Sequence, residues 1–347
     1  MVKSRKYLII LTGFIIFYSD YLFSQDNLYY STGFIRNDNA VYDEDICTVL
    51  LYKAGFELSP PIIQLLSGEK LVLSFDDLDA NYKQYRFTVV HCDAFWNKSD
   101  LQQMEYITGF FDDIIDDYAY SYNTTVPYIN YTAVFPNEDL RITKSGNYIL
   151  KVFEGSDADE NIILTRRFMV YEPQVQVTGQ IVITTDLGLR YTHHQVSFKI
   201  IGSNYYLTDT YRNLHVFVMQ NGRWDNIIKN VQPRNIIGNE FNYSLVDELV
   251  FEAGNEFRYL DMKTLKYNTD RMQSLQYTQE GYQVYIMTDM PRNRGNYIFE
   301  EDINGRKLIA ANDTRDPYSE GDYAWVHFLL PYYPPLIEGN LYVFGAL

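Results

Sequence analysis

Three groupings of side chains in this chain carry atoms that could do chemistry. His91-Cys92-Asp93 sets an imidazole beside a thiol, the pair a cysteine hydrolase uses as base and nucleophile. The surrounding residues alternate with strand period, so His91 and Cys92 fall on opposite faces and no local dyad is expected. Asp76-Asp77-Leu78-Asp79 and Asp112-Asp113-Ile114-Ile115-Asp116-Asp117 concentrate the oxygen ligands of a hard cation. Neither has the glycine and closing glutamate of a calcium loop, and both read as solvated loop carboxylates. His193-His194 lacks the i, i+4 spacing of a helical zinc pair. No glycine-rich phosphate loop and no GxSxG elbow occurs. The expectation is therefore no catalytic, cofactor-binding or metal-binding residue, no cofactor and no enzymatic activity; partner-binding residues are not nominated.

Aromatic residues offer a different chemistry. Tyr118, Tyr120, Tyr122, Tyr128 and Tyr131 gather around Pro127, and Tyr332-Tyr333-Pro334-Pro335 makes a stiff segment. Apolar ring faces of this kind suit a sugar or a protein ligand, which makes an exported carbohydrate-binding β-sandwich the alternative reading. The competing explanation is that tyrosines in a β-rich fold pack half-buried between strands.

The elements that must position these residues read as short strands between turns. Leu71, Leu73 and Phe75 share one face, as do Tyr85, Phe87 and Val89 in the next run. Gly146-Asn147 opens a strand in which Tyr148, Leu150 and Val152 alternate with Ile149, Lys151 and Phe153. Ile163 to Tyr171 closes this half, and Pro173 marks the boundary before a fresh run from Val175. Between Asn97 and Asp117 the alternation breaks. Leu101, Met104 and Ile107 fit one side of a short helix, with Ser99 and Gln102 as a weak capping box, and a structured loop fits equally. Asn221-Gly222 and Asn304-Gly305 are hairpin signals of the type I′ kind. The run from Asn340 to Leu347 reads as a further strand. The expected fold class is all-β, two consecutive sandwich domains of immunoglobulin-like build, 25–173 and 174–347.

Composition narrows the function classes. Tyr contributes 33 and Phe 21 of the 347 residues, an aromatic excess that favours pleated sheet. The net charge of −16 would repel phosphate backbones and anionic lipid, so nucleic acid and membrane surfaces are poor partners. Residues 1–24 form a signal peptide in pattern: Lys3, Arg5 and Lys6, an apolar run from Tyr7 to Tyr18, and Ser24 before Gln25. Cleavage there removes three positive charges and one negative, taking the net charge to −18. Only Cys47 and Cys92 occur, open to pairing or to burial as thiols.

Long strings of residues carry a family likeness. Pro61 to Asn97, Asn137 to Glu154 and Leu164 to Pro173 resemble the N-terminal domain of the type IX secretion system plug protein of Bacteroidota. Phe257 to Met272, Glu300 to Asn312 and Tyr342 to Leu347 extend the resemblance through the second half. It implies a periplasmic β-protein that binds the large outer-membrane translocon barrel and closes its periplasmic mouth, with no catalytic residues and no small-molecule ligand. Members of that family look as though they continue beyond the position of Leu347, so the second domain is expected to be C-terminally truncated.

Overall fold

The structure is a computed structural model that describes residues 36–202, 205–290, 292, 297 and 299–331. Residues 1–24, where a signal peptide is expected, Tyr332-Tyr333-Pro334-Pro335 and the run from Asn340 lie outside the described residues. Strands dominate, and among the described residues the three α-helices are single turns, α1 (Gln103–Tyr106), α2 (Thr210–Asn213) and α3 (Pro317–Glu320), beside one 3-10 turn at Asp159–Asn161. In the first half the strands are β1 (Ala40–Val41), β2 (Ile46–Lys53), β3 (Ile62–Gln64), β4 (Leu71–Asp77), β5 (Tyr85–Cys92) and β6 (Ile107–Gly109). They continue as β7 (Asp112–Ile114), β8 (Asp117–Tyr120), β9 (Ile129–Phe135), β10 (Leu140–Ile142), β11 (Gly146–Glu154) and β12 (Ile162–Tyr171).

Two larger sheets and a two-stranded ladder of β6 with β10 lie in the first compact unit, 1–51, 72–119 and 128–169. One runs β1-β12-β11-β5-β7 and the other β2-β4-β9-β8. The expected alternation supplies the core. Leu71, Leu73, Phe75, Tyr85, Phe87, Val89, Tyr148, Leu150 and Val152 are all buried. Rings from the two sheets meet across it, Phe75 with Tyr85 at 5.5 Å, Phe87 with Phe135 at 5.4 Å and Phe135 with Phe168 at 5.4 Å. Sheets packed face to face in this way form a β-sandwich. Each fully buried ring contributes about 1.5–3 kcal/mol by leaving water.

The helix signal between Asn97 and Asp117 is realised three residues late. The Gln102 backbone N–H donates to Glu105 Oε2 at 2.7 Å, so the cap is Gln102 and not Ser99. Ser99 is engaged elsewhere, by His91. Ile107 belongs to β6, and Met104 points to solvent.

The second unit comprises 52–71, 120–127 and 170–347. Its strands are β13 (Gln176–Ile183), β14 (His193–Ile201), β15 (Asn235–Ile237), β16 (Glu240–Asn242), β17 (Val250–Glu252), β18 (Met272–Thr278), β19 (Gly281–Ile286) and β20 (Ala324–His327). The order β13-β14-β16-β15, with β17 also on β14, makes one sheet, and β18-β19-β20 makes another. Phe198, Ile200, Phe241, Tyr243 and Leu249 centre the first core, and Met272, Val284 and Ile286 the second. Short polar ties hold the discontinuous pieces of this unit. The Thr125 N–H and hydroxyl both donate to Asp322 Oδ1, at 2.6 and 2.7 Å, and Tyr122 N–H donates to Ser319 O at 2.8 Å.

Both Asn-Gly turns form, but among the described residues neither joins two strands, which corrects the hairpin expectation. Asn221 and Gly222 have φ of 54° and 72°, and Asn304 and Gly305 have 53° and 70°, the doubly positive pair of a type I′ turn. Arg223 N–H reaches Gln220 O at 3.0 Å, and Arg306 N–H reaches Ile303 O at 3.1 Å. Beyond the first turn only the Val218–Ile228 bridge follows. At Gly305 an added Cβ would stand 2.8 Å from the Phe257 ring, so that corner needs glycine twice over.

Candidate interaction surfaces

The acidic run at 76–79 is not a solvated loop. Asp76 and Asp77 end β4 and are buried, which corrects the expectation drawn from their charge. The physical reason is a set of donors that replaces water. Tyr85 Oη donates to Asp77 Oδ2 at 2.8 Å, Lys83 Nζ lies 3.1 Å from the same oxygen, and Asp79 N–H donates to Asp77 Oδ1 at 3.0 Å. Asn130 Nδ2 donates to Asp76 Oδ1 at 2.7 Å. Lys83 also bridges to Asp79 at 3.1 Å. Burial works against the Lys83 charge, but its bonds to Asp77 and Asp79 outweigh that and hold its pKa above the ordinary lysine value. Asp79 is held below the ordinary aspartate value by Lys83 and then by Asn81. A carboxylate already satisfied by a tyrosine, a lysine and a backbone amide serves as a lock on the β4–β5 connection. Among the described residues no three His, Cys, Asp or Glu side chains are gathered to hold a metal.

His91 and Cys92 do part company, as strand alternation requires. His91 Nδ1 lies 2.8 Å from Ser99 Oγ and Nε2 lies 3.2 Å from Ser145 O. A carbonyl only accepts, so Nε2 carries the proton and Nδ1 accepts from Ser99. The ring also meets Tyr148 edge-on at 5.0 Å. Cys92 Sγ points to Val90 O at 3.7 Å, and burial followed by the nearby Asp93 charge pushes its thiol up to about 11. Such a thiol stays protonated and is a poor nucleophile. Cys47 sits on β2 in the opposite sheet and no disulfide joins the two.

The tyrosine cluster divides. Tyr128 and Tyr131 are buried, with Tyr131 stacked on Phe75 at 5.4 Å, whereas Tyr118, Tyr120 and Tyr122 are exposed. Tyr118 pairs with Tyr82 at 4.9 Å. Near the N-terminal side of the same unit lies a cleft of about 550 Å³ faced by Asp43, Glu44, Glu154 and Glu160. Tyr42, Asn161, Ile162 and Ile163 complete its lining, so its charge is all negative and disfavours anions.

The most exposed apolar strand is β13. It is an edge strand, with β14 on one side and none on the other among the described residues. Val177, Gly179 and Ile181 stand opposite Ile200, Phe198 and Val196, so their side chains lie on the face that carries the core. Ile200 and Phe198 are buried there, yet Val177, Ile181 and Ile183 are 61%, 70% and 65% exposed. Gly179 is required at its place because a Cβ would stand 2.7 Å from that of Phe198. An edge with unpaired main-chain groups and an apolar face is a template for strand addition. The alternation at 175–183 was legible in the sequence; that nothing among the described residues covers it was not.

These features define an all-β protein built of sandwich and sheet layers, with polar groups spent on locking loops and its apolar strand edge turned outward. The family described as type 9 secretion system plug protein, first domain, matches residues 46–172, which take in β2 to β12 of the first sandwich, and the chain belongs to that plug protein family. A solved structure of a hypothetical protein from Parabacteroides merdae ATCC 43184 is similar along most of the chain. It is 36% identical, covers 87% of this chain and 76% of that one, and superposes with a TM-score of 0.83. No curated protein matches the chain. Among the described residues no helix is long and apolar enough to cross a membrane.

Proposed function

We propose that this protein is a non-enzymatic periplasmic plug that binds the outer-membrane translocon barrel of the type IX secretion system and closes its periplasmic opening. The match of residues 46–172 to the plug family carries this reading. Export through the 1–24 leader delivers it to the compartment that the barrel opens onto. A pore wide enough for folded cargo leaks unless a stiff body fills it, and a sandwich with rings packed across both sheets is stiff. A net charge of −18 once the leader is removed keeps such a body dispersed when released, and polar contacts suit an interface that must open and close. The β13 edge supports the reading further, since main-chain pairing gives affinity without demanding one partner sequence.

The experiment is a pull-down of the tagged, exported protein from gently solubilised outer membranes. Recovery of a very large β-barrel protein in stoichiometric amount is expected. Recovery of the tagged protein alone, under conditions that keep other outer-membrane complexes intact, would refute the proposal.

A further inference from the structure

An edge strand stays open to a partner unless something guards it, and several edges of this fold are guarded. β7 carries Asp112 and Asp113, β8 carries Asp117, and β18 breaks register between Met272 and Ser274. β13 has none of these devices. Residues 176–183 carry no charge and no proline, and they pair with β14 in unbroken register.

The main chain of β13 is open at alternate residues. Val196 N–H donates to Leu249 O, and Phe198 O accepts from Tyr243 N–H, so both residues turn their main-chain groups away from β13. Their cross-strand neighbours Ile181 and Gly179 are therefore the non-hydrogen-bonded positions of this ladder, with N–H and C=O directed away from β14. Alternation gives Val177 and Ile183 the same direction. These four residues also form the core-facing row, in which Val177, Ile181 and Ile183 are 61%, 70% and 65% exposed.

That row is complementary to itself. Two copies joined antiparallel about a two-fold axis normal to the sheet keep both core-facing rows on one face. With the axis at Gln180, Gly179 meets the partner's Ile181, and Val177 meets the partner's Ile183. Each Ile181 enters the gap left by a glycine that Phe198 keeps free of any Cβ. The outward N–H and C=O groups of the four residues then face one another, as a ladder requires. An axis at Gly179 would set glycine against glycine and leave Ile183 opposite Val175, beyond the end of β13. Gln180 stands opposite itself on the other face and brings no charge to the axis. Copies of net charge −18 after leader removal repel one another, so a neutral edge is where two of them approach at least cost.

We propose that β13 is a homodimer interface, in which two copies of this chain pair edge to edge through residues 177–183 about an axis at Gln180. The pairing does not rest on the plug reading. An edge occupied by one strand is closed to another, so self-pairing competes with strand addition to the barrel.

The test is analytical ultracentrifugation of the full mature chain, together with disulfide trapping. A monomer–dimer equilibrium with a Kd below about 100 µM is expected. Ile181→Pro removes an outward N–H and leaves the β13–β14 bonds in place, so it should fold and dimerise about tenfold more weakly. Ile181→Lys, which brings two like charges to the interface, is the second disrupting variant. Gln180→Cys sets two thiols at a non-hydrogen-bonded pair with Cα atoms about 4.5 Å apart, within disulfide reach. Mild oxidation should convert it to a covalent dimer above the wild-type background. Thr178→Cys, whose two copies lie about 13 Å apart in this register, should not be trapped. A chain that stays monomeric at about 300 µM would overturn the proposal. So would a dimer as tight in both Ile181 variants as in wild type, or trapping of Thr178→Cys as readily as Gln180→Cys. Slow hydrogen exchange of the Ile181 amide in a monomer would overturn it in favour of another segment of the chain on this edge.

Discussion

The Tyr85 hydroxyl donates a 2.8 Å hydrogen bond to Oδ2 of Asp77, a carboxylate with no exposed surface at the end of β4. Lys83 Nζ approaches the same oxygen at 3.1 Å from the connection between the two strands. Tyr85→Phe keeps the ring packing and removes the donor, so stability should fall by about 1–3 kcal/mol. Lys83→Met leaves the buried charge uncompensated and should cost more, about 3–5 kcal/mol. Urea unfolding of both variants checks the order.

The same lock sets a pH window. Asp79 is held below its ordinary 3.8, so the stability it lends is complete above that value and is lost as pH falls through its lower folded pKa. Lys83 is held above its ordinary 10.5, so its share is complete below that value and is lost as pH rises through its higher folded pKa. The melting temperature should therefore be flat between these limits and decline on either side. In Lys83→Met the plateau should be lower and both declines shallower. Calorimetry across pH 3 to pH 11 would show about where each decline begins.

Gly146 stands against His91. A Cβ there would lie 2.3 Å from His91 Nε2, and the backbone φ of 152° disfavours a side chain as well. The ring cannot swing away without breaking its bond to Ser99. Gly146→Ala should cost about 1–3 kcal/mol, and adding His91→Ala should recover the part due to the clash. A double-mutant cycle measures it.

Cys92 is buried with a thiol pushed up to about 11, and it lies on a different sheet from Cys47. The folded protein should show the same mass with and without reductant. Cys92 should react with a thiol reagent at pH 8 only as fast as the protein opens, and Cys92→Ser should abolish the slow phase.

On β13, Ile181 projects from the core-facing side yet lies 70% exposed. Ile181→Lys should shift unfolding stability by no more than about 0.5 kcal/mol. If this edge adds a strand to its partner, the same change should lower recovery of the barrel severalfold, because a charge on an edge strand opposes pairing.

Much of this fold could be read before its structure was known, because alternation is local. The faces formed by Leu71, Leu73 and Phe75 and by Tyr148, Leu150 and Val152 follow from period two alone, as does the separation of His91 from Cys92. The Asn-Gly turns were equally legible, since positive φ is a property of the dipeptide. Asp77 was not, because its donors come from Tyr85 and Lys83, and a run of aspartates gives no sign that a distant hydroxyl will bury it. The pieces 52–71 and 120–127, which pack with 170–347, were likewise hidden. Nor did the sequence distinguish a covered strand from a bare one: Val177 and Ile181 look like core residues, yet among the described residues no strand pairs with the outer edge of β13.

The central claim is closure of a pore, and leakage measures it most directly. Deleting the gene and following uptake of a hydrophilic fluorescent dextran or a bulky antibiotic through the outer membrane should show a marked increase in permeability. Re-expression of the wild-type chain should reverse it. A deletion strain whose outer membrane stays as tight as its parent, with the translocon barrel present at normal levels, would contradict the account.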